Sequence, residues 1–153
     1  MSDQSKIIRS ENFTWPEIKK KEYKSDQPGF QGISRFVLLG EKEDEQGLNM
    51  QTRYFEIERG GYSSLERHRH PHTVVIVKGQ GSMILGNSCH NLEHMDTVYI
   101  SPGTVHQFHA DLGEPLGFIC VVDRYRDRPE TPVSRQQLET WISNPEARDK
   151  ARI

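Results

Sequence analysis

No apolar run in this chain approaches the roughly 18 residues that a membrane-spanning helix requires. The opening residues, MSDQSKIIRSENF, also lack the hydrophobic core of an export signal. Those two absences lead to the expectation of a cytoplasmic protein with no membrane partner. Cysteine is scarce: Cys89 and Cys120 are the only two, too few for a disulfide framework, and a reducing compartment would keep both as thiols. Neither sign of charge dominates, since 20 Lys and Arg face 22 Asp and Glu for a net charge of -2. With the signs interspersed along the chain, no surface is set aside for nucleic acid, and the expected partner is a small-molecule substrate. At 153 residues the chain suits one main domain with tails.

From about residue 31 onward, short apolar bursts alternate with turn chemistry. GISRFVLL ends at GEKEDEQG, QTRYFEIE at Gly60-Gly61, TVVIVK at GQG, SMIL at Gly86-Asn87 and TVYI at SPGT, while LGFICVV follows DLGE. Roughly nine strands with short hairpins are expected, which fits an all-β, two-sheet jelly roll. Residues 1–30 mix charge with proline and glycine and show no sustained period, so they read as an N-terminal arm with one strand at most on the sheets. Residues 31–125 read as the barrel, and 126–153 as a polar connector and a short C-terminal helix. In SRQQLETWISN, Ser134 and Gln137 make a capping box, Leu138, Trp141 and Ile142 share one face, and Asn144-Pro145 should end the helix.

Of seven histidines, three fall in the window RHRHPH. A helix would put His68 and His72 on one face, but His70 would point away and Pro71 would break the turn. A strand puts Ser64, Glu66, His68, His70 and His72 all on one face, with Pro71 marking an edge or bulge. Imidazoles projecting in parallel into a barrel mouth can converge on one divalent cation. His106 follows the Pro102-Gly103 turn and can return a fourth imidazole to the same cavity.

On these residues the chain resembles the cupin superfamily, over roughly residues 45–123. GGYSSLERHRHPHTVVIVKG resembles the first cupin motif, a Gly, His-x-His and a Glu seven before a Gly, and SPGTVHQF resembles the second, a Pro-Gly turn followed by His. The resemblance implies a double-stranded β-helix (jelly-roll) cupin barrel. It also implies one divalent metal ion per chain, held by His68, His70 and His106 with a fourth ligand at the glutamate position. Seven before Gly79 stands His72, so the implied set is four histidines, or three with His72 acting as an acid or base. Four neutral ligands would leave the ion's charge uncompensated and favour an anionic or chelating substrate. Manganese or iron come first among the expected ions, with zinc or nickel behind them. Met95, Ser101 and Ala110 depart from the Gly, Pro and Asn of the pattern, which concerns turns and packing.

Other groups carry chemistry on parity alone. Glu66 shares the histidine face as a general base or ligand-orienting group, or it is a rim carboxylate. Ser64, of the same parity, is a substrate contact with weaker chemistry. Arg35 and Arg53 lie within strands, where each would hold an anionic end of the substrate if it faced inward; Tyr54 would then face the other way. Cys120 reads as a buried small hydrophobe, or, beside a divalent metal, as a nucleophile. Gln107 and His109 have the opposite parity to His106, and His90 and His94 fall in an exposed hairpin.

Two functions compete. GGYSSLE, the close-set histidines, HQF and GFICVVD are similar to the small manganese cupins that remove a methylthio group from methylthioxylulose 5-phosphate. That resemblance implies a metalloenzyme in which Cys120 takes part in sulfur transfer and an arginine holds the phosphate. The same ligands also suit a dioxygenase or a sugar isomerase. The other reading is a non-catalytic small-ligand-binding barrel, and an open polar cavity at the metal separates the two. Open jelly-roll edges are covered by a partner subunit, so a homodimer is expected.

Overall fold

The structure is a computed structural model and describes residues 4–24 and 29–153; residues 1–3 and 25–28 of the expected arm lie outside the described residues. Nine strands form among the described residues: β1 (Lys21–Glu22), β2 (Gln31–Leu39), β3 (Met50–Tyr62), β4 (His72–Lys78), β5 (Gly81–Leu85), β6 (Ser88–Leu92), β7 (Thr97–Ile100), β8 (His106–His109) and β9 (Leu116–Asp123). All pairings are antiparallel. One side of the jelly roll runs β1-β2-β3-β9-β4-β7 and the other runs β6-β5-β8. Among the described residues, no helix is long and apolar enough to cross a membrane.

Strand β3 joins the two sides. The sequence expects it to stop at Gly60-Gly61, yet it continues to Tyr62, where it pairs with His109 of β8. The glycines turn the strand instead of ending it: Gln31 pairs with Tyr62 and Ile33 with Ile57, so residues 58–61 bulge opposite Gly32. A Cβ at Gly61 would stand 2.4 Å from the Gln31 carbonyl oxygen, which excludes any larger residue.

Strand alternation sorts β3 into two environments. Phe55 and Ile57 face a core that holds Val74, Ile76, Phe108 and Phe118. Tyr54 faces out and is covered by Trp15 of the arm, with ring centroids 4.9 Å apart, and Trp15 also lies 5.2 Å from Phe36. Burying two such rings stabilises the arm's docking by roughly 2 kcal/mol apiece.

The C-terminal segment forms two helices where the sequence expects one, α1 (Arg135–Trp141) and α2 (Pro145–Lys150). Pro145 opens α2 rather than merely closing α1, because its fixed φ and missing N–H suit a first helical turn capped by Asn144. The Ser134 hydroxyl accepts from Gln137 N at 3.1 Å, while the Gln137 side chain reaches Val133 N instead of completing the box. Leu138, Ile142, Ala147 and Ala151 pack on Leu65, Ile84 and Val105. Gln107, facing outward, donates at 2.8 Å to the carbonyls of Ser63 and Arg152 and so ties the C-terminus to β8.

A second clasp holds the arm to the turn after β2. Glu45 Oε2 accepts from the backbone N–H of Gly40 (2.7 Å), Glu41 (2.9 Å) and Lys42 (3.0 Å), while Oε1 pairs with Lys6 at 2.7 Å. Burial pushes this carboxyl up, but Lys6 and the three N–H donors outweigh burial and hold it down to about 2. A depressed carboxyl contributes stability that is complete above its ordinary value of 4.5 and is lost as pH falls through 2. Glu45→Gln should therefore cost about 2 kcal/mol at pH 7, with the gap to wild type closing by pH 2. Urea denaturation at both pH values checks this, and a gap independent of pH would refute the assignment.

A candidate metal centre and its cavity

The continuous strand expected from Ser64 to His72 does not form. Residues 63–71 are irregular, with isolated bridges from Glu66 to His106 and from Arg67 to Glu130. The backbone N–H groups of Arg69 and His70 bond the Asp127 carboxylate at 2.8 and 3.0 Å, and Pro71 has no N–H to offer a ladder. Without a strand, parity does not sort these side chains.

Three histidines converge nonetheless. His68, His72 and His106 are buried and each offers a ring nitrogen within 4.8 Å of the others. His70 is not of that group: its Nδ1 lies 2.8 Å from Asp127 Oδ1, and its ring stacks on His68 at 3.7 Å and 4°. The far nitrogen of each converging ring is fixed by a partner. His68 Nδ1–H donates to the His70 carbonyl (2.7 Å) and His106 Nδ1–H to the Thr104 carbonyl (2.9 Å). His72 Nδ1 lies 3.3 Å from Cys120 Sγ. These contacts place the lone pairs of His68 and His106 on Nε2, the arrangement a metal needs.

Two observations fit a cation. His68 Nε2 and His72 Nε2 are buried with no hydrogen-bond partner among the described residues, a cost of about 1–3 kcal/mol each unless a ligand engages them. Burial first, and then the neighbouring imidazoles, push His68 down to about 4 and His72 lower still, so both rings are neutral at pH 7.

Glu66 closes the remaining side. Its Oε1 stands 3.8 Å from His68 Nε2 and 3.7 Å from His106 Nε2. Its Oε2 accepts from the Ser64 hydroxyl at 2.7 Å and pairs with Lys24. Burial pushes the carboxyl up, the Lys24 ammonium at its other oxygen pulls it down, and Glu66 sits well below the usual range. The Ser64 hydroxyl, a candidate substrate contact in the sequence, bonds Tyr23 (2.9 Å), Lys24 (2.9 Å) and Glu66 (2.7 Å).

A cavity of about 160 Å³ opens beside the histidines, floored by Phe55, Phe108 and Phe118. Arg35 and Arg53 both face it: Arg35 pairs with Phe55 and Val37 with Arg53, so the two arginines share the inner face of β2 and β3. Cys120 Sγ accepts from Arg53 Nη2 at 3.3 Å and lies between Arg53 and His72. Burial pushes this thiol up, and the adjacent Arg53 opposes that. Lys24, Arg126 and Asp127 also serve this region. Sequence reasoning passes over them because they lie in the arm and in the RYRDRPETP connector, where no period assigns a face. His109 is buried away from the cavity with Nε2 3.0 Å from Gln107 Oε1, and His90 and His94 are exposed.

Comparison with known proteins agrees with this architecture. The cupin domain family model matches residues 53–122. The chain is 38% identical over 121 residues to 1-methylthio-D-xylulose 5-phosphate methylsulfurylase of Rhodospirillum rubrum, covering 78% of this chain and 75% of that one. It superposes on a cupin 2 conserved barrel domain protein from Rhodopseudomonas palustris with a TM-score of 0.79 and 37% identity, over 91% and 93% of the two chains. A cupin-superfamily sugar phosphate isomerase from Silicibacter pomeroyi matches at TM-score 0.59 and 25% identity, over 71% and 73%.

The buried imidazoles make metal-free protein acid-sensitive. His68 and His109 are both pushed down, each to about 4, from an ordinary 6.5. Between those values the unfolded chain binds the protons and the folded one does not, so stability is complete above pH 6.5 and falls toward pH 4. After chelation, stability should drop by on the order of 2 kcal/mol per such histidine across that window. His68→Asn should remove its share of the drop, leaving that of the other buried histidines. Urea midpoints at pH 7, 6 and 5 read this directly, and a level profile would be the contrary result.

Proposed function

We propose, from the premise that this chain belongs to the cupin family, that it is a divalent-metal-dependent enzyme that removes the methylthio group from a phosphorylated methylthioketose. The observation that carries this reading is the position of Cys120. Its sulfur lies 3.3 Å from both His72 Nδ1 and Arg53 Nη2, at the edge of a phenylalanine-floored cavity beside the histidine centre. The curated relative from Rhodospirillum rubrum, named as a methylsulfurylase of 1-methylthio-D-xylulose 5-phosphate, supports the substrate class.

Glu66, His68, His72 and His106 would hold the ion. This set differs from the four-histidine one that the sequence leads to expect: a carboxylate takes the place of His70, which instead braces His68 by stacking and is itself held by Asp127. One anionic ligand would lower the charge of the centre below that of four imidazoles. Bound there, a divalent ion supplies Lewis acidity to a ketose carbonyl and its neighbouring hydroxyl.

The protein's own groups do the rest. Lys24 and Ser64 engage Glu66 Oε2, which keeps Oε1 turned toward the histidines. The phenylalanine floor suits an apolar methylthio group, since thioether sulfur packs well on aromatic rings. Cys120 lies between the Arg53 guanidinium and His72 Nδ1; burial raises this thiol's pKa, and the Arg53 charge opposes burial and favours the thiolate. Attack by that thiolate on the methylthio sulfur forms an S–S bond and breaks the bond from sulfur to C1. The electron pair stays on C1, conjugated with the C2 carbonyl, and is protonated to give the 1-deoxyketose. A small-molecule thiol then takes up the methylthio group as a mixed disulfide and returns the Cys120 thiol.

Elemental mass spectrometry of the purified protein should find close to one divalent ion per chain, manganese or iron ahead of zinc or nickel. His72→Ala and His106→Ala should lose it, Glu66→Gln should bind it about 10- to 100-fold more weakly, and His70→Ala should still hold it. Cys120→Ser should keep the metal and lose methylthio transfer, assayed with 1-methylthio-D-xylulose 5-phosphate and a small thiol. Full transfer activity in Cys120→Ser, or protein without stoichiometric metal, would overturn the reading.

A further inference from the structure

The cavity beside the histidines also holds three guanidinium groups that the metal does not explain. Arg35 comes from β2, Arg53 from β3 and Arg126 from the connector after β9, and all three line the same cavity. No carboxylate lies within ion-pair distance of any of them among the described residues. Arg53 is only 6% exposed. Its guanidinium lies over the Phe55 ring at 4.9 Å and bonds Cys120, which leaves its Nε without a partner, as is Nε of Arg35. Arg126 donates to Gln51 Oε1 and the Asp123 carbonyl, both at 3.1 Å and both uncharged. Burial followed by the charges of Arg53 and Arg35 pushes Arg126 down to about 10, and burial followed by Arg53 pushes Arg35 down.

Three cations gathered out of water repel one another, and the arrangement is costly unless an anion enters among them. We infer that Arg35, Arg53 and Arg126 form a subsite for a dianionic phosphoryl group, which fixes the substrate's far end while its other end lies against the histidine centre. A carboxylate brings one charge and two oxygens, whereas a phosphoryl group brings close to two charges and three acceptor oxygens, which matches three forked donors. Arg35 also forms part of an outer basin with Lys19, Lys20, Lys21, Glu22 and Lys24, of which Lys21 and Lys24 pair with Glu41 and Glu66, so the basin keeps an excess of positive charge. The identity of the phosphoester rests on the function proposed above, but the anion site does not. Curated and structural relatives named for a ketose 5-phosphate and a sugar phosphate accord with it.

The test is calorimetric titration of inorganic phosphate into the metal-loaded protein. Wild type should bind phosphate in the millimolar range, while Arg126→Gln and Arg35→Gln should each bind it about tenfold more weakly. Arg148→Gln, on α2 and away from the cavity, should match wild type, and acetate should not bind over the same range. Metal content of each variant should be unchanged, which excludes misfolding as the cause. Phosphate binding that survives both substitutions would place the anion on the metal and overturn the subsite; equal binding of acetate would overturn the dianion assignment. Cys120→Ser separates the two proposals: it should lose methylthio transfer yet bind phosphate as wild type does. If wild type proves inactive on methylthioketose phosphates while its phosphate binding still depends on Arg126, the subsite stands and the transfer reading falls.

Discussion

The rest of the site is arranged around a few imidazole nitrogens that are buried with nothing to bond. In water such a lone pair always finds a donor; inside this barrel, the Nε2 atoms of His68 and His72 have none among the described residues. Every neighbouring contact maintains that condition. Backbone carbonyls of His70 and Thr104 hold the protons of His68 and His106 on Nδ1, Cys120 stands at Nδ1 of His72, and burial keeps the rings neutral. A cluster kept neutral and unsatisfied is prepared for a cation.

The same need for compensation shapes the cavity as a whole. Glu66 presents an oxygen to the histidines and is held in place by Lys24 and Ser64. Three arginines line the same cavity, with no carboxylate in ion-pair distance among the described residues. Cys120 lies at the junction, in contact with a residue of each group. Imidazoles, guanidiniums and three phenylalanine rings thus meet in one cavity.

Much of the fold could be read from the chain. Nine strands, their order of turns, the inward or outward alternation of Arg53 and Tyr54 and the outward orientation of Gln107 follow from a period of two and from glycine and proline punctuation. The histidines were legible as a cluster, but not which three of them converge. Parity treats residues 64 to 72 as a strand and puts five side chains on one face. The Asp127 carboxylate binds the backbone there, and the strand gives way to an irregular segment. His70 is thereby turned to Asp127, and Glu66 reaches the histidines in its place. Arg126 and Lys24 were invisible for a related reason: they come from the connector and the arm, which carry no period.

By itself, then, the sequence determined a barrel of antiparallel strands, because alternating burial is a local property that each strand carries in its own residues. It also pointed to several imidazoles lying near one another, while leaving open whether the Cys120 thiol joined them. Which nitrogen stays unpartnered, which carboxylate faces the histidines and which arginines meet across the cavity were decided only in three dimensions. Those outcomes depend on hydrogen bonds between segments far apart in the chain, such as Asp127 to His70 and Lys24 to Glu66. No local pattern encodes a partner that arrives from another part of the fold.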